Sequence, residues 1–494
     1  MRSNKLRQLQ QAIDAATTYS EWRTAAIEYD ELAGNNAWKE DPSSTLYDYG
    51  LIKGRWAYLT NLLRRKDDRR LLYALNEGIH GNLGGMGRPA LYQHAKFGTK
   101  KLITDYIYTL VDSLNYIAAS NSGLISFAEK LDFFRRASLC FGHSALMLSG
   151  GVTQGIFHLG VAKALFEENL LPRVISGAST GSLVAALLST HSDAELEKLF
   201  TQQALRLETL KFNDWKNIFK GSPLVDPANI ESTLHHYVPD LSFDEAFAIS
   251  RRKLNICITP EKLHQESRML NAISSPRVHI RKGVMASCAV PGLFPPVVLT
   301  TKSVEGESIP YNPNRLWVDG SLSDDMSTKR LARLHGVNLF IVSQANLHAL
   351  PYQKEKGMRQ GSLNIIGELN ASITKHFVNY LLHRKQERLR SPALGIFLTQ
   401  LHALASQDPS ADVIISPPSK FINLKKYFSY PDSDKSDKTA EQKLDNKTSQ
   451  QLLLEGQRAT WPKIEMIRNY TLIGQTLDII IDELEKEEYS RLLA

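Results

Sequence analysis

Hydrophobic positions repeat in different ways along this chain, and each change of period divides it. Residues 1 to about 140 read as mainly helical. Trp22, Ala25, Ala26, Tyr29 and Leu32 recur at helical spacing, with Ser20 as the expected N-cap and Gly34 just past the end. Trp56, Leu59, Leu62 and Leu63 form a second apolar stripe, and both stripes predict faces turned to a core. From about 143 to 346, short apolar runs alternate with helical patterns. The predicted strands are 146–148, 174–175, 254–259, 316–318 and 338–342. Strands separated by helices predict an α/β fold, a mostly parallel sheet with helices on both faces. Residues 350–427 read as helical again, with 363–390 a long amphipathic candidate. Residues 430–450 are charged, lack aromatics after Tyr430 and read as a mobile linker. A terminal helix over about 474–493 carries Leu477, Ile480, Ile481 and Leu484 on one face. The expected division is a helical unit over 1–140, an α/β unit over 143–346 and a helical C-terminal region over 347–494.

One stretch in the α/β part carries chemistry. Gly177-Ala178-Ser179-Thr180-Gly181 follows an apolar run and opens a helical one. A G-x-S-x-G pentapeptide between a strand and a helix reads as a nucleophile elbow, whose tightness excludes bulky neighbours. Just upstream, Ser149-Gly150-Gly151-Val152-Thr153-Gln154-Gly155 joins a strand pattern to a helix pattern. One βαβ unit therefore holds both, and its right-handed crossover places them at one sheet edge. There the amides of Gly151 and Val152 would face the oxygen of a carbonyl attacked by Ser179. A nucleotide cradle fits poorly, because no Gly-Lys-Ser/Thr follows and Val152 breaks G-x-G-x-x-G. Ser179 needs a base. Asp319, at the end of the 316–318 run and followed by Gly320, is the candidate, against the alternative of a turn aspartate. His335, His348, His376, His383 and His402 all follow, so chain order alone leaves a triad open. The glycine loop lies directly before the elbow, unlike that of ordinary α/β-hydrolases, and a Ser–Asp dyad fits better. His158 reads as a packing histidine, Asp226 as a turn residue, and Asp324 and Asp325 as a solvated pair. Ser176 and Ser182 flank the apex without occupying it.

Composition removes other classes. The chain has 494 residues, 43% hydrophobic and 22% charged, within the ordinary range for a soluble protein. No apolar run approaches about 18 residues, so no spanning helix is expected. Met1 to Gln8 lead into no apolar signal region, which predicts no secretion by that route. Cys140, Cys257 and Cys288 are too few and scattered for a disulfide frame, and no Cys or His pair has metal-ligand spacing. The net charge of +7 is modest. Its densest basic cluster, 64–70, is interrupted by Asp67 and Asp68 and reads first as a solvated helix face, second as a contact for anionic lipid. Nothing interleaves basic and aromatic residues as nucleic-acid binding would require.

The three motifs, Ser149 to Gly155, Gly177 to Gly181 and Asp319-Gly320-Ser321, together resemble the signatures of the patatin-like phospholipase family. Ala286 to Pro296 resembles a fourth segment of that family, A-S-x-A-x-P-x-x-F-P-P. The resemblance implies Ser179 as nucleophile, Asp319 as base and Gly150, Gly151 and Val152 as the oxyanion loop. Gly155, Gly177, Gly181 and Gly320 support the motifs. Val152 stands where the family has a third glycine, Gln154 where it has a basic residue, and Ser321 where it has Gly or Ala. Segments within 22–32, 64–70 and 74–84, with 412–415 and 455–461, look like those of yeast and plant triacylglycerol lipases. The implied activity is hydrolysis of glycerolipid acyl esters, most simply triacylglycerol. Phospholipase A or lysophospholipase action, with transacylation, is the alternative, and a non-enzymatic lipid-surface protein a third reading. No cofactor or metal is implied. A cytoplasmic protein touching membranes or lipid droplets peripherally is expected, and the sequence is silent on oligomeric state.

Overall fold

Every regular element before Gly142 is helical, and every strand follows it. The computed structural model describes residues 2–150, 155–201, 211–212, 227–261, 267–290, 294–320, 328–344, 411–417, 442–443 and 446–493. The eight N-terminal α-helices run from Arg2–Ala15 to Phe127–Phe141. In Tyr19–Ala33 the apolar period buries Trp22, Ala25 and Ala26, and Gly34 ends the helix at φ 87°. The cap, however, is Thr18, whose side chain accepts from the Glu21 amide. Ser20, the expected cap, lies inside the first turn because Thr18 already takes the extended conformation that a cap requires.

The basic cluster 64–70 is a joint between two helices. Asp67 caps Asp68–Asn76 by accepting from the Arg70 amide. Asp68 is 2% exposed and accepts from Tyr116, Ser120 and Ser122. Asp68 therefore faces inward and Asp67 is half-buried, while Lys66 and the flanking arginines meet solvent.

Eleven strands follow among the described residues: β1 (His143–Leu148), β2 (Val174–Gly177), β3 (Lys211–Phe212), β4 (Lys253–Pro260), β5 (Arg268–Leu270), β6 (Thr300–Lys302), β7 (Ser308–Pro310), β8 (Trp317–Asp319), β9 (Val337–Ser343), β10 (Val413–Ile415) and β11 (Gln442–Lys443). Seven form one sheet in the order β10-β9-β1-β2-β4-β5, with β8 also paired to β4. The pairs from β10 to β4 are parallel, as the alternation of apolar runs and helices predicts, while β5 and β8 run antiparallel to β4. β10 falls within 350–427, which reads as helical in sequence. Its three residues pair with Ile341 to Ser343 and are too few to show a period. The candidate helix 363–390 lies outside the described residues. So does most of the 430–450 segment, although a helix, Asn446–Thr460, begins inside it.

Two C-terminal helices tie the sheet to the N-terminal helices. Asn446–Thr460 lies across Gly155–Glu167 at a glycine crossing: a Cβ on Gly160 would sit 2.0 Å from the Leu453 carbonyl oxygen, and one on Gly456 2.2 Å from that of Phe157. The last helix is Ile464–Leu493, starting ten residues before the sequence suggests, with Leu477, Ile480 and Leu484 buried. Its Arg468 pairs with Glu168 at 2.7 Å and its Tyr470 hydroxyl donates to the Gly87 carbonyl at 2.6 Å, bridging the two halves. No helix among the described residues is long and apolar enough to cross a membrane.

Gly160→Ala should therefore lower stability by about 1–3 kcal/mol, since overlap with backbone outweighs the better helix propensity of alanine. Gly54→Ala, on an exposed helix face with nothing within 4 Å of the added carbon, should raise it by about 0.5–1 kcal/mol. Equilibrium unfolding of both variants checks the pair, and a stabilised Gly160→Ala protein would contradict the crossing.

Candidate active site

Ser179 sits where β2 ends and the helix Thr180–Thr190 begins, with φ 49° and ψ −127°. Such a backbone costs a non-glycine residue roughly 1–3 kcal/mol, so its surroundings must hold it. Two glycines clear the space. A Cβ on Gly177 would lie 2.4 Å from the Gly181 carbonyl oxygen, and one on Gly181 would lie 2.3 Å from that of Leu148. Hydrogen bonds then fix the turn. The Ala178 amide donates to the Leu148 carbonyl at 3.2 Å, and the Ser179 amide donates to Ser287 Oγ at 3.0 Å. The Ser287 hydroxyl in turn donates to the Cys257 carbonyl at 2.8 Å, and the Ser182 hydroxyl donates to the Ser179 carbonyl at 2.6 Å. The Ser179 side chain makes no capping bond to the helix it precedes. The residue is partly exposed at the positive end of that helix.

The strand register places Asp319 beside this turn. Ile256 pairs with Gly177 of β2 and also with Leu270 of β5, so β2 and β5 flank β4 on opposite sides. Ile258 pairs with Arg268 of β5 and with Asp319 of β8, which puts β8 on the β2 side. β8 thus occupies the column that β2 leaves at the elbow. Gly177 and Asp319 are two residues apart along β4, about 7 Å at the usual strand rise. The sequence suggests a parallel strand ending at the elbow edge. Instead β8 comes in antiparallel from beyond that edge, and only its last residue reaches the level of the turn. Gly320 permits this approach, since a Cβ there would lie 2.5 Å from the Cys257 carbonyl carbon. The Asp319 amide donates to the Ala289 carbonyl at 2.9 Å. Asp319 is 1% exposed. Elbow and carboxylate strand are therefore both bonded to one short stretch, Ser287 to Ala289. Burial pushes the Cys288 thiol of that stretch up to about 12, with the Asp319 carboxylate adding to the rise and a Ser182 hydrogen bond opposing it.

Of the proposed oxyanion loop, Gly151 and Val152 lie outside the described residues, as do Thr153, Gln154 and Ser321. Its two ends are described. Ser149 and Gly150 are buried at the end of β1, and Gly155, at the other end, would touch Thr180 Cγ2 at 2.9 Å if it carried a Cβ. Both ends of the loop therefore flank the elbow.

Of the histidines named from the sequence, two lie among the described residues. His158 is fully buried, its Nδ1 2.6 Å from Ser343 Oγ and its Nε2 3.0 Å from the Ser149 carbonyl. The carbonyl can only accept, so Nε2 carries the proton and Nδ1 accepts from Ser343. Burial holds this ring down to about 4, and it ties β1 to β9, a packing role. His335 lies just before β9, at the opposite edge of the sheet from the elbow, and its Nε2 contacts Asn255 Oδ1 at 3.0 Å. Burial, then the charges of Lys253 and His143, lower it to about 4. His348, His376, His383 and His402 lie outside the described residues, as do Asp226, Asp324 and Asp325.

Residues 146–332 match the patatin-like phospholipase family, and residues 1–139 match a domain of unknown function, DUF3336. Triacylglycerol lipase ptl2 of Schizosaccharomyces pombe is 30% identical over 482 residues, covering 93% of this chain and 73% of that protein. The chain belongs to the patatin-like phospholipase family. Triacylglycerol lipase 4 of Saccharomyces cerevisiae is 32% identical over 92% of this chain and 51% of its own length. Triacylglycerol lipase SDP1L of Arabidopsis thaliana is 31% identical over 94% of this chain and 57% of its own. The chain thus spans little more than half the length of these last two relatives.

Ser287 is a supporting residue to which the sequence pattern attaches no role. Its bonds join positions 108 and 30 residues away, which no local pattern discloses. Ser287→Ala should leave the strained Ser179 amide unpaired and cost about 1–3 kcal/mol of stability, while Ser287→Thr should restore most of it. Chemical denaturation of the two variants decides this.

A second expectation concerns acid. His158 and His335 are held neutral by the fold, with values near 4 against 6.5. The unfolded chain therefore binds more protons between those values. The stabilisation is complete above pH 6.5 and is lost as pH falls toward about 4. Replacing His158 by Gln should lower the proton uptake on unfolding near pH 5 by about one. Unfolding free energies measured across pH 4.5–7 test it, and an unchanged slope would refute the buried neutral ring.

Proposed function

We propose that this chain is a serine acyl hydrolase of glycerolipid esters, a triacylglycerol lipase working through a Ser179–Asp319 dyad. The observation that supports the reading is the register of β8, which fills the column vacated by β2 and brings the buried Asp319 to the level of the turn that carries the strained, partly exposed Ser179. Ser179 Oγ attacks the ester carbonyl while Asp319 takes its proton. The Gly150, Gly151 and Val152 amides receive the oxyanion, with the dipole of Thr180–Thr190 adding to the field. As the tetrahedral adduct collapses, the C–O bond to glycerol breaks and the alkoxide leaves with the proton held by Asp319. Water, deprotonated by the same carboxylate, then adds to the acyl-enzyme; the C–Oγ bond breaks, Ser179 Oγ takes the proton back from Asp319 and the fatty acid leaves.

His158 and His335 support a dyad, since His158 is locked into a β1–β9 brace and His335 belongs to the far edge. Relatives named triacylglycerol lipases, alike over both helical flanks and sheet, support triacylglycerol over phospholipid. Residues 1–140 would be the accessory helical unit, 143–346 the catalytic unit and 347–494 a C-terminal region lending β10 and the two clamping helices. The protein would act at the surface of a lipid droplet or membrane.

Ser179→Ala should abolish fatty-acid release from triolein emulsions, and Asp319→Asn should lower it at least about 100-fold, both without loss of fold. The parent protein should release more fatty acid from triolein than from phosphatidylcholine vesicles. An active Asp319→Asn protein would point to a histidine base, and a preference for phosphatidylcholine would replace lipase by phospholipase.

A further inference from the structure

A cavity of about 510 Å³ lies at the outer edge of the sheet, beside β5. This falls within the range of about 300–1,000 Å³ common for small-molecule sites. Arg268, Arg330 and Arg333 line it, and no Asp or Glu does. Several arginines elsewhere are matched: Arg135, Arg252, Arg458 and Arg468 each meet a carboxylate. Among the described residues, the three cavity arginines meet none. Arg330 is aimed by a 2.6 Å hydrogen bond to the Ser267 carbonyl, and the Arg268 guanidinium lies 5.6 Å from the Trp317 ring centre. Trp317 is fully buried in the cavity wall, and its indole N–H has no partner among the described residues. Three guanidinium groups around one open hollow, Arg330 half-buried and Arg268 and Arg333 exposed, concentrate positive charge that an anion would offset. Exposed apolar side chains lie close by in the chain. Ile273, Ile309 and Leu316, each one or two positions in sequence from a residue lining the cavity, are 62%, 43% and 39% exposed.

We propose that this cavity binds a phosphate group, carried on a lipid headgroup or present as free phosphate. Guanidinium forks match phosphate oxygens in pairs, and the volume leaves room for what the phosphate is attached to. The exposed Ile273, Ile309 and Leu316 suit a ligand whose other end is apolar. The site uses neither Ser179 nor Asp319: it gathers residues of β5 and of the helix Thr328–His335, with Trp317, two positions before Asp319 on β8, in its wall. It does not rest on the assignment of Ser179 and Asp319.

The test reads binding directly, using the full chain with Ser179→Ala so that no lipid is consumed. One arm titrates inorganic phosphate by calorimetry. The other measures co-flotation with phosphatidylcholine vesicles containing phosphatidate, or oleate at matched surface potential. Phosphatidate vesicles should bind at least about tenfold more tightly than oleate vesicles, and Arg268→Gln and Arg333→Gln should each weaken that binding about tenfold. Arginine-dependent binding of inorganic phosphate would identify free phosphate as sufficient, and its absence beside strong phosphatidate binding would identify the headgroup. Equal binding to phosphatidate and oleate vesicles would overturn the proposal. So would variants that match the parent in both arms. Arg333 is exposed and holds no other group among the described residues, so its replacement keeps the test decisive even where Arg268→Gln disturbs packing against Trp317.

Discussion

A serine at φ 49° and ψ −127° does not stay there unaided, and much of the catalytic half of this molecule can be read as what keeps it there. Gly177 and Gly181 clear the space, Leu148 accepts from the Ala178 amide, and Ser287 takes the Ser179 amide. Each of these contacts comes from a different element, so the strain is spread over β1, β2, the helix Thr180–Thr190 and the end of the helix Ile280–Ser287. The hydroxyl is left at the apex, outside the capping network of its own helix. Strain and accessibility have the same origin here.

The same supports decide where a carboxylate can stand. β2 must stop at Gly177 for the elbow to form, and its departure uncovers one side of β4. β8 fills that side with three residues and brings Asp319 in at its end. An antiparallel strand fits this gap because it enters from the open edge and ends facing inward, where Asp319 is buried. Gly320 then lets the chain leave over Cys257. The neighbouring Cys288 thiol, pushed up to about 12, stays protonated and adds no second negative charge near the carboxylate.

The turn at Ser179, the parallel strands and the helical stripes are legible because each rests on local chemistry. Glycines at two-residue distance from the serine, short apolar runs and a 3.6-residue period all act within a few positions. What is not legible is set by partners far away. The direction of β8 depends on which side of β4 is free. β10 is three residues long, and its strand character comes from β9. Thr18 outcompetes Ser20 as a cap through backbone conformation, which composition does not display. Ser287 matters through two bonds to remote segments, and His158 is recognisable as a brace only once Ser343 and the Ser149 carbonyl are seen around it.

The C-terminal helices extend this logic to the glycine loop. The helix Gly155–Glu167 begins where the loop ends, and its position fixes that end. Gly160 and Gly456 let Asn446–Thr460 come close enough for backbone to touch backbone, so the helix cannot slide along its axis without a clash. At its other end Arg468 of the final helix holds Glu168. His158, one turn in, bonds the carbonyl of Ser149 and so couples the exit of the loop to its entry. Both ends are thereby fixed by the sheet and by segments some 300 residues later, before any residue of the loop itself is considered. The proposed oxyanion role needs only backbone amides between these fixed ends, and valine at 152 and glutamine at 154 each carry one.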